Sequence, residues 1–119
     1  MNTIARNPIV SLLTIMLYAV SLRAADVPIV LSSDAPSSVR LAAQDLANDL
    51  GRLFPHEQFA LVTNLPATGK AILVGQVSDA MVRNRLGSDV PTKRESFVVR
   101  TKRDGALELG IIAGADARG

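Results

Sequence analysis

Chemistry in this chain must come from carboxylates, hydroxyls and one imidazole: there are 11 Asp and Glu residues, a single His and no Cys. Two carboxyl groups set across a scissile bond, one with a raised pKa, would serve hydrolysis as acid and base. The spacing offers no such pair. Asp45 and Asp49 are i,i+4 neighbours on the polar side of a predicted helix, Glu57 falls in a predicted loop and Glu108 on a strand face. Solvated surface accounts for each. His56 follows Pro55 in a helix-terminating loop with no serine or carboxylate pattern around it, so a surface place near a helix C-terminus explains it better than a general base. The lack of cysteine excludes thiolate catalysis and Cys-based metal sites, and one His does not make a zinc site. Gly105 and Gly110 have the spacing of a phosphate loop, but Ile111-Ile112 stands where Lys-Ser/Thr is required. No catalytic, cofactor-binding or metal-ligating residue is therefore predicted, and no cofactor.

The stretch Glu95–Gly119 organises the rest. Phe97, Val99 and Thr101 share one face of an extended segment, with Val98 and Arg100 on the other. Asp104-Gly105 signals a tight turn. Leu107, Leu109, Ile111 and Ala113 then line one face of a second strand, which Gly114 ends. Asp116 is the predicted N-cap of a helix that would begin where the chain stops, and Gly114, Asp116, Arg118 and Gly119 form a structural turn or domain interface. Arg118 would pair with a carboxylate or an adjoining domain; the alternative is that the turn presents backbone N–H groups to an anion.

Those residues carry a resemblance. Glu95-Ser96-Phe97-Val98-Val99, a short turn, and the strand running into Gly114-Ala115-Asp116-Ala117-Arg118-Gly119 resemble the end of the N-terminal α/β domain of certain glycoside hydrolases. The family indicated is glycoside hydrolase family 115, the xylan α-1,2-glucuronidases. Related domains precede the barrels of family 67 α-glucuronidases and family 20 β-hexosaminidases. The resemblance spans the chain after its first stretch and is sharpest over Gly114–Gly119. It implies a non-catalytic accessory domain whose partner is a downstream (β/α)8 barrel of the same polypeptide. The two catalytic carboxylates would sit on that barrel, and polysaccharide would be met only through it.

The first stretch is read as a signal peptide over residues 1–24. Arg6 supplies a basic start, Ile9–Val20 is an uncharged apolar run, and small residues follow to Ala25, with cleavage near Ser21 or Ala24. An uncleaved membrane anchor is the alternative, but the run is too short to span a bilayer comfortably. The expected location is secreted or periplasmic, with no membrane contact after cleavage. Of the 13 basic residues, Arg6 and Arg23 lie in the leader, leaving 11 against 11 acidic residues and no net charge. No basic stripe with interleaved aromatics remains, so nucleic acid is not an expected partner. About 95 residues without a disulfide make a marginal domain that a neighbour would support.

The elements predicted to position these residues run in order. Val27–Leu31 reads as a strand, with Pro28 marking an edge or a strand start. Val39–Phe54 is an amphipathic helix with Val39, Ala42, Ala43, Leu46, Leu50, Leu53 and Phe54 on its apolar stripe. Asp34, Ser37 or Ser38 would cap it, Gly51 costs about 1 kcal/mol relative to Ala, and Pro55 ends it. Phe59–Thr63 is a short strand, and Ala71–Val74 a strand covered on both faces. Ser78 or Asp79 caps a short helix through Leu86, followed by the hairpin. The predicted class is α/β: a mixed sheet with helices packed on it, in the order β-α-β-β-α-β-β with a final helix truncated, resembling the hexosaminidase accessory domain. Phe54, Phe59 and Phe97 are all placed in the core. This disfavours the other reading, a stand-alone periplasmic module binding sugar or protein, since such modules grip sugars with exposed aromatics.

Overall fold

A computed structural model of the chain describes residues 25–116; the leader expected over 1–24, and Arg118 and Gly119, lie outside them. The elements are β1 (Ala25–Asp26), β2 (Ile29–Val30), α1 (Ser37–Leu53), β3 (Glu57–Gln58), β4 (Leu61–Val62), β5 (Gly69–Gln76), α2 (Ala80–Leu86), β6 (Phe97–Asp104) and β7 (Leu107–Gly114). The fold is α/β, a five-stranded mixed sheet of order β4-β2-β5-β7-β6 with two helices packed on it. Only β6 runs antiparallel.

The predicted element order holds when β1–β2 and β3–β4 are each taken as one interrupted strand. Val27, Ile29 and Leu31 donate their N–H groups to the carbonyls of Gln58, Ala60 and Val62 at 2.8, 2.8 and 3.1 Å. The alternate positions face β5, and there Pro28 has no N–H to give. Its carbonyl accepts from Ile72 N at 2.9 Å. Pro28 therefore marks a strand start, as one of the two expectations held; β2 is internal, between β4 and β5. Glu57, expected in a loop, opens β3 instead.

The Ala71–Val74 expectation is borne out, because alternate residues of β5 feed two cores. Ala71 and Leu73 join Val30, Leu109 and Ile111 under α2. Ile72 and Val74 join Ile29, Leu31 and Ile112 under α1. All the β5 neighbours are parallel or central, so neither face of this strand meets water freely.

α1 differs from its prediction in register and capping. Pro36 occupies the cap position and no side chain caps the helix; the Pro36 carbonyl accepts from Arg40 N at 3.0 Å, and Asp34 takes the Ser32 hydroxyl instead. The buried centre is Ala43 and Ala47, flanked by the half-buried Val39, Leu46 and Leu50. Ala42 lies outside it, and Leu53 and Phe54 remain 71% and 50% exposed. Two alanines bring the helix close to the sheet, so its contact line runs through small residues and not through the largest ones. α2 matches its prediction: the Asp79 carboxylate accepts from Met81 N at 2.9 Å, and Val82 and Leu86 are buried.

The hairpin closes at Gly105, whose φ of 62° suits the turn and is strained for other residues. Leu107, Leu109, Ile111 and Ala113 are fully covered, and their cover is α2. The truncated final helix predicted from the sequence is therefore not what covers this face. The uncovered face is the reverse one. Phe97 and Val99 are 67% and 55% exposed beside the half-buried Ile112, the last strand residue of the cluster under α1 on that side, which does not extend to β6. Placing all three phenylalanines in the core was thus wrong for Phe54 and Phe97; Phe59 alone is half-buried, its ring 6.4 Å from that of Phe54.

Candidate functional site

Adjacent parallel strands β2 and β5 send the chain to opposite faces: β2 leads to α1, β5 to α2. An open α/β sheet forms its crevice where connections diverge in this way, outside the carboxyl ends of the strands. Here the crevice holds a cavity of about 430 Å³. Ser32, Asp34 and Pro36 line it from the β2–α1 loop, Gln76 from the end of β5, and Ser78 and Asp79 from the β5–α2 loop.

Each loop is braced by an arginine from the helix it leads into. Arg40 of α1 donates to the Ser33 carbonyl at 3.2 Å. Arg83 of α2 donates to the carbonyls of Val77 and Ser78 at 3.1 and 3.3 Å. Within the loops, the Ser32 hydroxyl donates to the Asp34 carboxylate and the Ser78 hydroxyl to Gln76 Oε1 at 3.3 Å. Gly75 forms part of the floor. A Cβ there would lie 2.8 Å from Val82 Cγ2 and 3.6 Å from Asp79 Oδ2, so glycine lets the first turn of α2 approach the strand.

The Ser32 hydroxyl, and then its own backbone amide, hold the Asp34 carboxyl below its ordinary value. A proton donor at neutral pH needs the opposite shift. Asp79 is committed to the α2 cap. The arrangement can offer hydrogen bonds to a ligand; it is not built for proton transfer.

A second concavity of about 300 Å³ adjoins the first, between α1 and the open side of the hairpin. Ser38, Val39 and Ala42 form one wall, Phe97 the other, and Ile112 and Gly114 the floor.

Two of the four turn residues singled out from the sequence fall within the described region, and both border this groove. Gly114 pairs with Phe97 across the hairpin, and its carbonyl accepts from Val77 N at 2.9 Å. The Asp116 carboxylate accepts from Glu95 N at 3.0 Å, while Ala115 N donates to Ser96 O at 2.9 Å. The turn thus ties the start of β6 to the end of β7. It also holds Glu95 at φ 61°, a left-handed conformation that costs a non-glycine residue free energy. Whether Asp116 caps a helix falls beyond the described residues.

The other sequence candidates are not brought together. Asp49 pairs with Arg52 at 3.8 Å on the exposed side of α1, and Glu108 with Arg103 at 3.9 Å on the hairpin. His56 is exposed between α1 and β3. Sequence reasoning treated Asp34, Ser78 and Asp79 only as helix caps and passed over Ser32 and Gln76. No residue pattern marks them as partners; the sheet order alone does.

No protein-family model matches the chain, and no curated protein matches it. Among the described residues, no helix is long and apolar enough to cross a membrane, and no group of three or more His, Cys, Asp or Glu is placed to hold a metal ion.

Proposed function

We propose that this chain is the N-terminal, non-catalytic α/β domain of a secreted carbohydrate-active hydrolase, resembling the accessory domains of the xylan α-glucuronidases and β-hexosaminidases. In this reading it is exported behind a cleaved leader and packs against a catalytic barrel of the same polypeptide, through which alone it meets polysaccharide. The observation that carries the reading is the open apolar strip of Phe97, Val99 and Ile112 beside the groove along α1. A strip of this kind on a small domain marks a contact surface. It adjoins the Gly114–Asp116 turn, where the family resemblance is sharpest. A helix continuing from that turn and lying along α1 would cover it, and each large apolar side chain it buried would contribute about 1.5–3 kcal/mol.

The test is to express the chain with and without the coding sequence that follows Gly119. The longer polypeptide should bind less hydrophobic dye and unfold at higher denaturant, and the chain alone should release no uronic acid from xylan oligosaccharides. Equal dye binding and equal midpoints would overturn the reading.

The second reading, a stand-alone sugar- or protein-binding module, gains from the exposure of Phe54 and Phe97. Exposed aromatics are what such modules use, and the expectation that both were core residues had counted against it.

A further inference from the structure

We propose that the crevice between the carboxyl ends of β2 and β5 binds a neutral saccharide unit. This goes beyond the accessory-domain role and does not depend on it, because the lining of the crevice carries it and not the strip at Phe97.

Position is the first support. Here adjacent parallel strands pass the chain to helices on opposite faces of the sheet, the general location for ligands in open α/β folds. Its volume of about 430 Å³ lies within the range of small-ligand sites, roughly 300–1,000 Å³.

The lining chooses the ligand. Polar residues line it from both walls: Ser32 and Asp34 on one, Gln76, Ser78 and Asp79 on the other. Ala35, Pro36 and Val39 add apolar surface on the α1 side. No Lys, Arg, His or aromatic residue lines it. The two nearby guanidinium groups are turned to the carbonyls of Ser33, Val77 and Ser78. Acceptors thus dominate, and no cation faces the space. A phosphate, a nucleotide or a uronate would meet two carboxylates without a counter-charge. The lack of an aromatic platform removes base stacking. A saccharide unit matches what is left: its hydroxyls donate to carboxylate, carboxamide and serine oxygens and accept from the Gln76 amide, the serine protons being held by Asp34 and Gln76, while its C–H face lies on Ala35, Pro36 and Val39.

Rigidity supports the same assignment. The arginine braces hold both loops before a ligand arrives, which lowers the ordering cost of binding. The crevice is open to water, so affinity in the millimolar range is expected.

The experiment is a titration of the full 119-residue chain with glucose, xylose, glucuronate and choline, followed by amide shifts. Glucose or xylose should shift Ser32, Asp34, Gln76, Ser78 and Asp79 saturably. Glucuronate should bind at least about tenfold more weakly, and Gln76→Ala should weaken the neutral sugar about three- to tenfold. The spectrum of the free variant shows whether its fold is intact, and Ser78→Ala replaces it if not. Lack of saturation with either neutral sugar, shifts confined to other residues, or no effect of the substitution would overturn the proposal. So would glucuronate or choline binding more tightly than glucose.

Discussion

Two glycines show how differently one residue type can be constrained. Gly51 lies in α1 with nothing within 4 Å of an added Cβ, so it pays the entropic cost of glycine in a helix without return. Gly51→Ala should stabilise the chain by about 0.5–1 kcal/mol. Gly75→Ala would drive a methyl against the fully buried Val82 and should destabilise by about 1–3 kcal/mol. Urea unfolding of the two variants checks both signs, and shifts in the same direction would contradict the packing at β5. The cost of Gly51 was legible from helical periodicity. The need for Gly75 was not, because its partner Val82 lies on another element and no local pattern records that approach.

Among the elements, the two helices differ in how well their apolar residues foretold burial. α2 is short and groups its large apolar side chains, Met81, Val82 and Leu86, on one side, so they turn to the sheet together and Val82 and Leu86 are buried. α1 carries apolar residues around more than half its circumference, and the sheet selected the narrow line through Ala43 and Ala47. The distinction can be measured. Leu86→Ala removes a fully buried side chain from the α2 core and should cost about 2–5 kcal/mol, while Leu53→Ala, at 71% exposure, should change stability by less than about 0.5 kcal/mol. Thermal or urea midpoints read both, and comparable losses would show that α1 buries its C-terminal turn.

For the molecule as a whole, the two faces of the sheet are unequally finished. The α2 face is closed over all of β7, with Leu107, Leu109, Ile111 and Ala113 each at 3% exposure or less. The α1 cluster reaches Ile112 of β7 but not β6, leaving Phe97 and Val99 in water. An exposed strip of this kind should make the chain self-associate as its concentration rises. Phe97→Ser combined with Val99→Thr should reduce association in sedimentation or light scattering while moving the unfolding midpoint little. Unchanged association would place the sticky surface elsewhere; Phe54 and Leu53 at the end of α1 are then the next residues to replace.

Sequence alone determined the α/β class, the element order, the position of Asp79 as a cap, the turn at Gly105 and the buried face of β7. Each of these is local: a period of 2 or 3.6, a glycine at positive φ, or a carboxylate two residues before an amide. Tertiary structure decided the strand order, the rotation of α1, the exposure of Phe97 and the meeting of Ser32 and Asp34 with Gln76, Ser78 and Asp79. These depend on which strands become neighbours and which face each helix takes. Residues more than 40 positions apart share the crevice only because β2 and β5 are adjacent and turn their helices to opposite sides. A period tells a residue that it has a partner face; only the packed sheet supplies that face.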